Sequence, residues 1–312
     1  KIENDIYIIM SKINYFGVFI MKNFSSLFLA KLFILATILG ISNQSFAGEA
    51  LDNIRKTNKI ILCAGPYAWP YTSTTNYPRG FDVDIMMQVA AKENLNLDIY
   101  WAEQKMRGGL GKALRHSIQK GRCNVYMGIA NSDSSKDEIE EKRLVFTDAY
   151  LGVAYVPIAN PGVEDFTKME EIKGKSKPGV AMSTAIDGYL FYNGYDRDLY
   201  ARKPTEIDAV GKQEIDMAFV MSTQLAKARL KYKDAPFRVI RSFEPPAELR
   251  WNVAGVIRGG DQELLDLLNK HLNEMLEDGT ISEIVEKYNV PYFKPFPDVA
   301  STYTATEELT AE

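Results

Sequence analysis

Between residues 59 and 127 the chain alternates short apolar runs with amphipathic ones, and this alternation limits the fold more than any other feature. Residues 59–63, 97–101 and 123–127 are strand-like, and Gly65-Pro66 ends the first. Residues 81–94, with Ile85, Val89 and Ala90 inward, carry helical spacing, as do residues 110–119, closed by Gly121. Strand–helix–strand units of this kind are right-handed and build a parallel sheet covered on both faces. Asp82 and Asp84 fall in the first turn of the first helix, where the helix dipole stabilises carboxylates.

The pattern resumes at residues 177–182, where Ser183-Thr184 reads as the N-cap of the next helix, and at the buried strand 215–220. Extended runs at 151–158 and 250–254 cross between the two halves. Two crossings make one lobe discontinuous, 50–153 with 254–292, enclosing a second at 156–250. Near the end Leu264, Leu265, Leu268, Leu272 and Leu276 keep helical spacing. Asp278-Gly279-Thr280 then breaks that helix and caps another, with Ile281, Ile284 and Val285 on its apolar face. Residues 294–312, with Pro291, Pro295 and Pro297 upstream of Thr302, read as a flexible tail.

Residues 1–20 read as an over-long start. Met21-Lys22 opens a basic region, residues 32–41 are an apolar run, and Ser45-Phe46-Ala47 suits signal-peptidase cleavage before Gly48. That run is too short to span about 30 Å of hydrocarbon, so residues 21–47 are expected to be a signal peptide. The remainder is expected to be periplasmic, without a membrane span. It carries 33 Lys and Arg against 39 Asp and Glu, a balance that excludes a dedicated nucleic-acid surface. No basic block interleaved with aromatics is evident. Two cysteines with His116 and His271, scattered as they are, make no metal site, and no cofactor is implied. An even pair of cysteines in an exported chain favours a Cys63–Cys123 disulfide. The strand positions oppose it, since Cys63 lies late in its strand and Cys123 opens its own. Both readings stand on the sequence alone.

The ordered string from Gly255-Val256-Ile257-Arg258-Gly259-Gly260-Asp261 to Lys287-Tyr288 resembles the C-terminal signature of family 3 extracellular solute-binding proteins, the receptors of ABC importers. Gly80-Phe81-Asp82-Val83-Asp84-Ile85 is similar to that family's second signature and Phe146-Thr147-Asp148-Ala149-Tyr150 to its third. The resemblance implies an α/β, two-lobed periplasmic-binding-protein fold of type II, with two crossover strands as hinge. It also implies a monomer that binds a small-molecule ligand for an ABC permease, and no enzyme. Shorter matches at Leu62-Cys63-Ala64-Gly65-Pro66, Arg107-Gly108-Gly109-Leu110-Gly111, residues 121–128 and Tyr288-Asn289-Val290-Pro291 are similar to a branch encoded beside quinoprotein (methanol or alcohol) dehydrogenases. That branch would make a periplasmic dehydrogenase the partner instead.

Ligands of open α/β sheets sit beyond the carboxyl ends of the strands, beside helix N-termini. That rule nominates Tyr67, Trp69 and Tyr71 after the first strand, Asp82, Asn131 after the third strand, Ser183 and Thr184 with free N–H groups for an anion, and Met221. Arg107, before a helix, is a candidate anion partner. The resemblance implies an arginine after the third strand to grip an α-carboxylate. Ser135 or Glu140 stands there, depending on the direction of counting, with Lys136, Lys142 and Arg143 nearby as substitutes. It also implies an aspartate for the ammonium at the position held by Met221. An ordinary α-amino acid is therefore not the expected ligand. A few relatives of the fold are dehydratases that use a cleft acid, a role open here to Glu103 or Asp133.

Overall fold

The computed structural model describes residues 49–102, 109–203 and 205–298; the leader, Glu103, Arg107 and residues 299–312 lie outside them. The side chain of Asp133 also lies outside the described part. Helix α1 (Glu49–Thr57) leads into strand β1 (Lys59–Ala64) and a small hairpin, β2 (Tyr67–Ala68) with β3 (Thr72–Ser73). Then follow α2 (Phe81–Lys92), β4 (Asn96–Trp101), α3 (Gly109–His116), β5 (Val125–Asn131), α4 (Asp133–Glu141) and the long β6 (Leu144–Ala159). The second half contains β7 (Gly179–Ala181), α5 (Ala185–Tyr192), β8 (Asp198–Tyr200), α6 (Glu206–Gly211), β9 (Met217–Met221), α7 (Leu225–Lys231) and β10 (Arg238–Val239). The chain returns through β11 (Arg250–Arg258) and ends in α8 (Gln262–Glu277) and α9 (Thr280–Lys287).

One sheet runs in the order β4-β1-β5-β11-β6-β9-β7-β8, with β10 paired to β6. β1 is parallel to β4 and β5, and β7 is parallel to β8 and β9, as right-handed crossovers require. β6 and β11 are antiparallel to each other and belong to both halves of the sheet. Each half is covered on both faces. One half packs around Ile60, Leu62, Ile85 and the α8 stripe Leu264, Leu268, Leu272 and Met275, and around Cys63, Leu114, Cys123 and Tyr126. The other packs around Val180, Leu190 and Phe219, and around Val156, Val220 and Phe237. Leu265 and Leu276 are only partly buried. His271 is buried between Glu93 (2.7 Å) and Glu274 (3.2 Å), tying α8 to the end of α2.

The cysteines are bonded, with Cα atoms 5.5 Å apart. The positional objection fails because Cys123 is not a strand residue. In the β1–β5 register Cys63 faces Tyr126, three residues past Cys123, but β5 begins only at Val125, and the turn ahead of it carries Cys123 to Cys63. Asn124 fixes this turn, its side chain accepting from the Ile61 N–H (2.7 Å) and its own N–H donating to Ile61 O (2.8 Å).

Residues 294–298, expected to be without fixed structure, are seated on the two crossover strands. Gly152 of β6 and Asn252 of β11 are register partners. Gly152 N–H donates to Phe293 O (2.9 Å), and the Asn252 amide both donates to Phe296 O (2.9 Å) and accepts from Phe296 N–H (2.8 Å). Arg250 lies over the Phe296 ring at 4.9 Å and pairs with Asp298 at 2.9 Å. A Cβ at Gly152 would stand 2.8 Å from Lys294 O, so only glycine admits this strap. Asn252→Ala leaves two backbone groups of Phe296 unpaired and is expected to cost about 1–3 kcal/mol, read from the midpoint of a urea melt.

Candidate functional site

The carboxyl ends of β1 and β5 and the N-terminus of α2 meet in a cluster of aromatic and acidic groups. Tyr71 packs on Phe81 with ring centroids 4.7 Å apart, and Trp69 meets the edge of Tyr288 at 6.2 Å. Asp82 is fully buried, and its Oδ1 accepts from the Tyr150 hydroxyl at 2.6 Å. Its Oδ2 has no partner and stands 2.9 Å from where a Cβ at Gly128 would lie. Burial pushes the Asp82 carboxyl up to about 8, against the lowering effect of the Tyr150 hydrogen bond. The expectation that Asp82 is a dipole-stabilised carboxylate is therefore corrected: it faces inward on the same stripe as Ile85, Met86 and Val89. Asp84 instead accepts from the Tyr288 hydroxyl at 2.9 Å.

Burial also raises Tyr71, whose hydroxyl meets the side chain of Thr223, just after β9. This contact joins the two halves of the sheet at the ends of their strands. Trp69 Nε1 and Asn131 Oδ1 are buried without a hydrogen-bond partner, one a donor and the other an acceptor. Tyr67 sits on β2 and is about half exposed. Met221 ends β9 opposite Tyr155 of β6, and its N–H donates to Gln224 Oε1 at 3.1 Å.

The start of α5 differs from expectation. Several of its N–H groups are already engaged. Ser183, at φ +62°, donates its N–H to Asp187 Oδ2 (2.8 Å), and the Ala185 N–H goes to the Tyr155 hydroxyl. Thr184 caps the helix through the Asp187 N–H and donates to Ala181 O (2.6 Å). Arg197 Nε, 2.5 Å from Asp187 Oδ1, completes the cap.

One of the suggested substitutes for a carboxylate-gripping arginine, Lys142, is engaged elsewhere, and a second, Arg143, is exposed. Lys142 is buried and pairs with Glu138 at 3.1 Å along α4. Arg143 follows α4 at the far end of β11, its carbonyl accepting from Gly259 N–H at 2.8 Å.

Sequence reasoning did not single out Tyr155, Tyr150 or Glu206. Glu206 is buried at the first position of α6, and burial raises its pKa. Burial raises Tyr155 and Tyr200 as well, and Glu206 adds to both shifts. The Thr205-x-x-Asp208 capping box marks that helix start and was the available signal. Among the described residues no group of three or more His, Cys, Asp or Glu is placed to hold a metal, and no helix is long and apolar enough to cross a membrane.

The architecture has known counterparts. The L-cystine solute receptor of Neisseria gonorrhoeae in its unliganded open conformation superimposes with a TM-score of 0.61 at 14% identity, over 77% of this chain and 96% of that one. A second substrate-binding domain of a putative amino acid ABC transporter from Streptococcus pneumoniae gives 0.58 at 18%, over 73% and 99%. These establish the type II periplasmic-binding-protein fold. In sequence, the L-cystine-binding protein TcyJ of Escherichia coli K12 is 26% identical over 259 residues, 81% of this chain and 91% of that protein. The probable amino-acid-binding protein YxeM of Bacillus subtilis is 24% identical over 273 residues, 86% and 95%. The model of bacterial extracellular solute-binding proteins, family 3, matches residues 60–291. With the fold, the signatures and this match in agreement, the chain belongs to the bacterial extracellular solute-binding proteins of family 3.

Proposed function

We propose that the protein is a periplasmic receptor that closes on one small polar solute for uptake by an ABC permease. The moving bodies are residues 50–153 with 254–292 and residues 156–250, hinged on β6 and β11. Closure is the selection of a closed state by differential affinity. The observation that carries this reading is a buried unpaired donor on Trp69, in the loops after β1, and a buried unpaired acceptor on Asn131, at the carboxyl end of β5. Buried polar groups without partners are rare, and a ligand satisfies them.

The same geometry supports a solute other than an ordinary α-amino acid. Met221 is a thioether where an ammonium would need a carboxylate, and at the N-terminus of α5 the Ser183 and Ala185 N–H groups are engaged internally. No catalytic role is assigned.

The test is a thermal-shift screen of the protein against polar solutes, with L-cystine and the common amino acids included. A ligand at a hundred times its Kd adds about 2.7 kcal/mol. A polar non-amino-acid solute should raise the Tm by several degrees in the native protein and not in Trp69→Ala. A strong shift with L-cystine or another α-amino acid would overturn the ligand class.

A further inference from the structure

From Gln104 to Ser132 the chain has no Asp or Glu and carries Lys105, Arg107, Lys112, Arg115, Lys120 and Arg122, with His116 among them. This run stands out on a chain whose formal net charge is −4. The structure gathers part of it around a cavity of about 510 Å³ on the α3 side of β4, lined by Lys112, His116 and Arg122 with Tyr100 and Trp101. Arg122 lies over the Tyr100 ring at 5.6 Å and donates to its hydroxyl at 2.5 Å. Lys112 and His116 have no hydrogen bond or ion pair among the described residues. Asp98, two residues before Tyr100 on β4, is held by Lys59 at 3.1 Å and does not neutralise the cavity.

The walls are fixed. Tyr100 is the register partner of Cys63, and Arg122 adjoins Cys123, so the disulfide ties the two sides together. The charge also extends past the cavity. Arg115 and Lys120 are exposed and form no ion pair among the described residues. β4 is the outermost strand on this side of the sheet. The cavity shares no residue with the loops at the ends of β1, β5, β7 and β9.

We propose that this face docks an acidic segment of a partner polypeptide. One carboxylate enters between Lys112 and Arg122, with its stem against Tyr100 and Trp101, and neighbouring carboxylates meet Arg115 and Lys120. An extended partner fits better than a single small anion, because the unneutralised charge runs beyond the cavity to Arg115 and Lys120. Charge complementarity of this kind sets on-rate and orientation, and it weakens with salt.

The probe is a fluorescein-labelled peptide of eight glutamates, titrated with the full chain and followed by anisotropy at 20 and 150 mM salt. Binding should weaken at least tenfold in Lys112→Glu/Arg122→Glu. It should stay within twofold in Lys175→Glu/Lys203→Glu, which makes the same charge change on exposed lysines of the other half. Far-ultraviolet circular dichroism confirms that both variants fold. Equal weakening in the two variants would reduce the effect to net charge and overturn the proposal. So would an absence of binding at 20 mM salt. Complete displacement by 10 mM inorganic phosphate at constant ionic strength would assign the cavity to free anions and overturn the polypeptide.

Discussion

Asp82→Asn should flatten a fall in stability that is expected of the native protein between about pH 4 and pH 8. The Asp82 carboxyl has an ordinary value of 3.8 and is pushed up to about 8 by burial. In that interval the folded chain holds a proton that the unfolded chain has released, so stability decreases as pH rises. The contribution is fully present below the unfolded value and is lost on passing through the folded one. At about 1.4 kcal/mol per tenfold change in proton concentration, the interval bounds the effect on the order of 5 kcal/mol. The groups facing Asp82 are Tyr150, which donates to it, and Tyr71. Both tyrosines are raised by burial, with Asp82 adding to the shift, and stay neutral across this range. Asparagine keeps the carbonyl that accepts from Tyr150 and places its amide where Oδ2 has no partner, so its absolute stability at pH 5 is expected to drop. The slope is the diagnostic. Glu206, raised by burial, has the same sign and should supply the slope that remains. Urea melts at pH 5, 6.5 and 8 read this out, and an unchanged slope in the variant would contradict the buried neutral carboxyl.

Cys63→Ala/Cys123→Ala should lower stability by about 4 kcal/mol while leaving the fold intact. The disulfide closes a loop with a sequence separation of 60, and loop-closure entropy gives that magnitude. For a chain of this size about 2–4 °C of Tm accompanies each kcal/mol, so the midpoint should fall by about 10 °C. Folding survives because β1 and β5 keep their register and the Asn124 clip on Ile61 remains. A loss below about 1 kcal/mol would mean that the unfolded chain is already restrained by other contacts.

Much of the sheet was legible because buried strands and amphipathic helices carry different periods. β1, β4, β5 and the crossover strands stand near where apolar runs predict them, and α8 follows its leucines. The cysteine pairing was not legible, because it depends on β5 starting only at Val125 and on the Asn124 turn that carries Cys123 back to Cys63. The strap was hidden because its partners, Gly152 and Asn252, lie far away along the chain. At the site, the loops were readable from topology, whereas the state of their groups was not. Ser183 and Thr184 look like a vacant helix N-terminus, whereas a tyrosine from β6 already meets the Ala185 N–H. Asp82 could have been read: residues 82, 85, 86 and 89 share one helical face, which places the carboxyl on the apolar side. Its position in the first turn suggested the opposite.

A solute receptor of the proposed kind holds a polar ligand in its cleft. Native mass spectrometry of the protein, purified gently from its own host, tests this most directly. One reproducible small-molecule adduct is expected, lost in Trp69→Ala/Thr223→Val, where both the unpaired donor and the hydroxyl facing Tyr71 are removed. A bare polypeptide mass, or an adduct that persists in the double variant, would contradict it.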